Sequence, residues 1–319
     1  AKDHGLRVVL DGVWNHVGTA HPTFQNLLSQ GADSQYASWY HFRTDATGRV
    51  TSWQAWDRRN GGLPEFRQER GDLVPGPRRH AFDATSRWMD PNGDGDPSDG
   101  IDGWRLDVAN EVGMRFWSDW RAHVRAINDQ AVLVGELWFD GRDYFGGRAF
   151  DAQMNYPLAF VLTAWLGREP GFGSADLAAG LGRVYSHAPA TGLAQVNLLG
   201  SHDTPRILSM LVNPGPEYDR GAGMGASGYD RGRPGPEAEA LLVLGYTVLT
   251  FLPGSPMVYA GDELGVWGAD DPENRKPLPW PGDEGLTARV ASALTLRQHP
   301  EIGPTLRLGA ARWWAEGDL

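Results

Sequence analysis

Continuous apolar runs along this chain are short, and most of them stop at an acid. They read Leu6-Arg7-Val8-Val9-Leu10-Asp11, Gly103-Trp104-Arg105-Leu106-Asp107, Val132-Leu133-Val134-Gly135-Glu136 and Val196-Asn197-Leu198-Leu199, the last followed by Gly200-Ser201-His202-Asp203. Phe150–Met154 and Pro256–Ala260 read as two more of the same kind. Between them the period changes to that of a helix. Over about 110–127, Val112, Phe116, Trp120, Val124 and Ile127 share one face. Pro157–Leu166, Ala175–Tyr185, Ala238–Phe251 and Thr287–Gln298 also read as helices, with Pro236 well placed to start the third of these. Strand-type runs alternating with helices predict an α/β fold with parallel strands.

The remaining segments lack a clear period. Residues 17–80 are irregular and rich in aromatics, Gly, Pro and Arg, with a turn expected at Asn60-Gly61-Gly62. They predict a small inserted subdomain. Residues 213–236 are rich in Gly and Pro and predict a mobile loop or lid. Ala1–Gly5 reads as the tail of a helix closed by glycine, so the chain reads as beginning inside a domain. Leu306–Ala315 alternates weakly and predicts the opening of a separate β domain.

The 319 residues suit one barrel of roughly 250 residues plus an insertion. A net charge of −11 argues against a nucleic-acid partner and suits a neutral ligand such as a sugar. Cysteine is absent, which removes disulfides and thiolate chemistry from this chain. No apolar run is long enough to span a bilayer, so no membrane partner is expected, and the first residues do not read as a signal peptide. Oligomeric state and localisation stay open. Fourteen Trp serve core packing first, though flat aromatic faces also suit pyranose rings.

Asp11, Asp107, Glu136 and Asp203 occupy strand ends. In a βα barrel the chemistry gathers there, because strand tips and βα loops converge on one face. One such Asp alone is most often a helix cap. Lone histidines such as His4, His21 and His80 are most often structural. Acids at several tips in a common pocket repel one another, which points to catalysis. A second acidic group, Asp90, Asn92, Asp94 and Asp96, places oxygen donors at alternate positions of a Gly-rich turn. It matches the first half of an EF-hand loop, but Ile101 stands where the bidentate Glu belongs. Ca2+ in a structural role is the expectation, set against a solvated acidic turn.

These motifs resemble those of the α-amylase superfamily, the retaining α-glucan-active barrel enzymes. Asp11-Gly12-Val13-Trp14-Asn15-His16 resembles the motif of the third strand. Gly103 to Glu111 resembles that of the fourth, Gly135-Glu136-Leu137-Trp138 the fifth, and Ser201-His202-Asp203 the seventh. Val108-Ala109-Asn110-Glu111 is typical of the neopullulanase and cyclomaltodextrinase branch, and Leu63-Pro64-Glu65-Phe66 vaguely resembles that branch's extra motif. Tyr259 to Glu263 and Asp271 to Pro277 also look familial.

The resemblance implies a TIM (β/α)8-type barrel without its first two strands. The barrel begins at 1–16, is interrupted by an inserted subdomain at 17–80 and continues over 81–305. Residues 306–319 open a C-terminal β domain. It implies Asp107 as nucleophile, Glu136 as general acid/base and Asp203 as the third acid, which grips sugar hydroxyls. The two reacting carboxyls are then expected about 5–5.5 Å apart. His16, Arg105, His202 and Asp11 are the implied substrate-binding and supporting group. Arg105 is expected to keep Asp107 ionised, and Asn15 matches a calcium-binding position of α-amylases. The leading activity is hydrolysis of α-glucosidic bonds in maltodextrins, cyclodextrins, pullulan or starch. A transglycosidase or sugar isomerase using the same site, and a non-catalytic carbohydrate-binding or regulatory relative, remain alternatives.

Overall fold

The computed structural model describes residues 1–58, 61–186, 194–215 and 227–317. They form two compact units, Ala1–Leu137 with Gly141–Gln153, and Trp138–Asp140 with Met154–Leu319.

The first unit opens with a 3-10 turn, Lys2–His4, closed by Gly5 in the left-handed region at φ 72°. Strand β1 (Val9–Gly12) follows. The stretch read as irregular then contains helix α1 (Pro22–Gln30), the antiparallel pair β2 (Phe42–Thr44) and β3 (Val50–Trp53), and the antiparallel pair β4 (Gln68–Glu69) and β5 (Asp72–Leu73). Helix α2 (Pro75–Met89) comes next, so a boundary at residue 80 falls inside a helix. Its buried stripe is Pro77, Ala81, Thr85 and Met89, one residue in four. Small and weakly apolar residues at that spacing give a faint signal, which is why the sequence reading passed over it. In α1 the apolar face is only Phe24, Leu27 and Leu28, barely one period.

Strand β6 (Gly103–Leu106), helix α3 (Met114–Ile127) and strand β7 (Val132–Leu137) complete the unit's parallel sheet, in the order β1-β6-β7. The close pairing of β6 with β7 depends on Gly103. A Cβ there would sit 2.3 Å from the Val132 carbonyl oxygen. Trp14, Trp104, Trp117 and Trp120 pack into this unit's core, accounting for several of the tryptophans by burial alone.

Strand β8 (Ala152–Asn155) leads into the second unit. Helices α4 (Tyr156–Leu166) and α5 (Ser174–Val184) follow as expected. Strand β9 (Val196–Asn197) is shorter than its apolar run, and helix α6 (Ile207–Val212) is almost wholly buried. Helix α7 (Pro236–Phe251) starts at its proline, strand β10 (Ser255–Pro256) pairs parallel with β9, and helix α8 (Glu284–Thr295) closes the unit's core. Asn60 and residues 216–226, the middle of the expected lid, lie outside the described residues.

The tail corrects the sequence reading. Gly303–Leu308 is a helix, α9, and residues 309–317 contain no strand. Weak alternation over a few residues does not select a strand without a partner edge to pair with. Among the described residues no helix is long and apolar enough to cross a membrane.

Candidate active site

Sheet register assembles the site of the first unit. Asp11 of β1 lies opposite Arg105 of β6, and Leu106 lies opposite Gly135 of β7. One residue past that last pair stand Asp107 and Glu136, side by side at neighbouring strand ends. Arg105 and Asp107 are two residues apart and share a face. The guanidinium of Arg105 therefore meets acids on three sides. Its Nη1 donates to both Asp11 oxygens at 2.8 and 2.9 Å and to Asp107 Oδ1 at 2.7 Å. Its Nη2 lies 3.0 Å from Glu136 Oε2. Glu136 is 5% exposed, and its Oε2 also accepts the Val108 backbone N–H at 2.8 Å.

One cation facing three carboxylates does not fully neutralise them. Burial pushes the Asp107 carboxyl above its ordinary value, and Glu136 and Asp11 add to that. Arg105 opposes the shift without overcoming it. Arg105 thus favours the ionised form of Asp107 but does not bring its pKa below the ordinary value, because desolvation outweighs the favourable charge. The same acids raise the affinity of Arg105 for its own proton.

His16 is buried next to Asp107, with Nε2 3.8 Å from Oδ2. Asn15, also buried, donates from Nδ2 to His16 Nδ1 at 3.3 Å. A neutral imidazole held this way carries its proton on Nε2, the atom facing Asp107. Burial lowers the His16 pKa despite the surrounding acids Asp107, Glu65, Asp57 and Glu136. Trp56, unmarked in the sequence reading, stacks on the imidazole at 5.5 Å. The Leu63–Phe66 segment runs alongside, through Val17 N–H to the Pro64 carbonyl and Phe66 N–H to the Asn15 carbonyl.

Asp203 and His202 belong to the second unit. His202 Nε2 lies 3.1 Å from Asp203 Oδ2, and Arg275 Nη2 lies 3.3 Å from Oδ1. Ser201 Oγ accepts the Asp203 N–H at 3.1 Å and bonds the Tyr156 hydroxyl at 2.9 Å. Asn274, wholly buried, donates to the carbonyls of His202 and Thr204 at 2.8 and 2.9 Å. Arg275 and Asn274 were missed as functional residues. Their signal was the Asp271 to Pro277 segment, which by itself does not say which acid it serves.

The acidic loop uses its side chains on itself. Asp90 accepts the N–H groups of Gly93 and Gly95, Asn92 that of Asp94, Asp94 that of Asp96, and Asp96 that of Ser98. Among the described residues no three His, Asp or Glu side chains are grouped to hold a metal ion. The fifth expected ligand, Asn15, has its amide nitrogen engaged with His16. In this arrangement the loop's side-chain oxygens act as turn caps.

Comparison with known proteins agrees with this architecture. The family model described as alpha amylase, catalytic domain, matches residues 1–293. A cyclomaltodextrinase of Geobacillus thermopakistaniensis is 34% identical over 282 residues, 87% of this chain and 42% of the relative. Neopullulanase 2 of Thermoactinomyces vulgaris is 32% identical over 288 residues, 88% of this chain and 42% of the relative. The chain thus spans less than half the length of these curated relatives. Among solved structures, the cyclic alpha-maltosyl-(1→6)-maltose hydrolase of Arthrobacter globiformis matches with a TM-score of 0.79 at 28% identity, covering 99% of this chain and 64% of that one. The type III pullulan hydrolase of Thermococcus kodakarensis matches with a TM-score of 0.80 at 27% identity, covering 98% and 51%. These structures are TIM barrels, the α/β class expected from the sequence. The chain belongs to the α-amylase family of glycoside hydrolases, and what it matches there is the catalytic domain.

Proposed function

We propose that this chain is the catalytic part of a retaining glycoside hydrolase that cleaves α-glucosidic bonds of maltodextrins and related α-glucans. Asp107 attacks the anomeric carbon and forms a covalent glycosyl-enzyme. Glu136 protonates the departing oxygen, then activates the water that releases the sugar. His16 and His202 bind hydroxyls of the sugar, Asp203 grips the distorted ring, and Arg105 with Asp11 supports the reacting acids. The relatives' names point to the same substrates, and the Arthrobacter hydrolase was solved in complex with cyclic alpha-maltosyl-(1→6)-maltose and with maltose.

The observation that carries this reading is the lateral pairing of Asp107 and Glu136 on one guanidinium. Adjacent strands lie about 4.8 Å apart, the scale of the carboxyl separation of about 5–5.5 Å in retaining enzymes.

Glu136→Gln is expected to lower kcat on maltodextrin by about 10²–10⁴-fold. Asp107→Asn is expected to abolish turnover, with far-UV dichroism unchanged in both. Reducing-sugar release measures it, and wild-type rates in either variant would remove the assignment.

A further inference from the structure

Four non-glycine residues among those described have positive φ, and Val108 is the one that is β-branched. It sits at φ 37°, ψ 50°, directly after Asp107. A branched Cβ is poorly tolerated in the left-handed region, so such a residue persists only where its surroundings enforce it.

Here they do. Before it, the Asp107 N–H is held by the Gly12 carbonyl at 3.2 Å. After it, a 3-10 turn over Ala109–Glu111 is closed by Glu111 N–H to the Val108 carbonyl at 2.9 Å. The buried Trp117 indole donates to the Ala109 carbonyl at 2.8 Å. Gln68 clamps the far side, donating to the Glu111 carbonyl at 2.8 Å and accepting the Gly113 N–H at 3.0 Å. The left-handed residue ends the β6 ladder at once. Its N–H, which a longer strand would give to a β7 carbonyl, goes instead to Glu136 Oε2 at 2.8 Å.

That oxygen now receives a backbone N–H and faces the Arg105 cation at 3.0 Å. Both favour negative charge on Oε2, so in the acid form of Glu136 the proton sits on Oε1. We propose that Val108 is a positioning residue whose strained backbone amide fixes the Glu136 carboxyl so that Oε1 is the atom delivering the proton to the leaving group. This rests on the assignment of Glu136 as general acid made above. In the step, the Oε1–H bond breaks and its proton joins the departing glycosidic oxygen. That oxygen keeps the electron pair of the broken bond to C1, and a carboxylate oxygen of Asp107 forms the new bond to C1.

The test removes the amide and compares leaving groups. Val108 is replaced by its α-hydroxy acid analogue, which substitutes an ester for the N–H and keeps the side chain. Turnover is measured on maltotriose, whose leaving oxygen needs the proton, and on α-maltosyl fluoride, whose leaving group hardly does. We expect kcat/KM, which reports the first step alone, to fall about tenfold or more on maltotriose and to stay within about twofold on the fluoride. Val108→Asn keeps the amide and tolerates the left-handed region, so it should retain the maltotriose rate to within about threefold. Equal losses on both substrates, no loss on either, or a Val108→Asn loss as deep as that of the ester would overturn the proposal. Asp107→Asn separates this from failure of the underlying reading. If that variant still turns over the fluoride, the catalytic assignment itself is wrong.

Discussion

Arg105 is one guanidinium set against three carboxylates in a largely buried place, with its side chain 13% exposed. Its planar fork reaches Asp11 and Asp107 through Nη1 and Glu136 through Nη2, which a lysine ammonium cannot do from one position. Removing the shared partner leaves buried like charges, a loss on the order of 3–5 kcal/mol. Arg105→Lys is therefore expected to lower the melting temperature. It should also move the acid limb of kcat/KM to higher pH, since weaker opposition lets burial push Asp107 further up. Wild type itself should show that limb above the ordinary aspartate range, because the Asp107 pKa is already raised. A limb that stays in place in the variant would mean that Asp107 does not govern it. The residues of this cluster were legible from their strand-end positions. The direction of the Asp107 shift was not, because it depends on how much water the folded site excludes.

Elements position these residues through register, and register depends on close approach at a few points. The Asp11–Arg105 pair comes from the β1–β6 register, and the Asp107–Glu136 adjacency from the β6–β7 register. Gly103→Ala would drive a Cβ against the Val132 carbonyl oxygen and its side chain. Backbone cannot yield there as a flexible side chain would, so a loss of about 1–3 kcal/mol is expected, read as a lower denaturant midpoint. Activity should fall with it, since a shifted β7 carries Glu136 away from Arg105. Unchanged stability would show that the pairing is looser than its register implies. Strands and long helices were readable because their periods are local. Helix α2 was not, since its buried stripe is built from Pro77, Ala81, Thr85 and Met89, and only the packed core makes that face an inside face.

On the scale of the whole molecule, each unit carries its own apolar core, and the second also buries an ion pair. Arg206 and Asp262 are 2% and 1% exposed and 3.1 Å apart. Arg206 lies over the Tyr259 ring at 3.7 Å, and Tyr246 donates its hydroxyl to Asp262 at 3.1 Å. Burial pushes the Asp262 carboxyl up to about 6 against 3.8 unperturbed, with Arg206 opposing. Between those values the folded state holds a proton that the unfolded chain has released, so this group's contribution to stability falls as pH rises from about 4 to about 6. The shift corresponds to a change on the order of 3 kcal/mol. Melting curves of wild type and Asp262→Asn across that window should show the wild type losing ground to the variant as pH rises. Parallel curves would show that Asp262 is ionised throughout.

The order of strand and helix patterns, the acids at strand ends, and the acidic chain without cysteine were all determined by the residue string, because each is a local or compositional property. Folding decided which groups meet. Asp11 and Arg105 are 94 residues apart, and Val108 and Glu136 are 28 apart. The count of cations per carboxylate, the bond between Arg275 and Asp203, and the aim of the Val108 amide all arise from such long-range encounters. Hydrogen bonds and desolvation act over a few ångströms of space, whatever the distance along the chain.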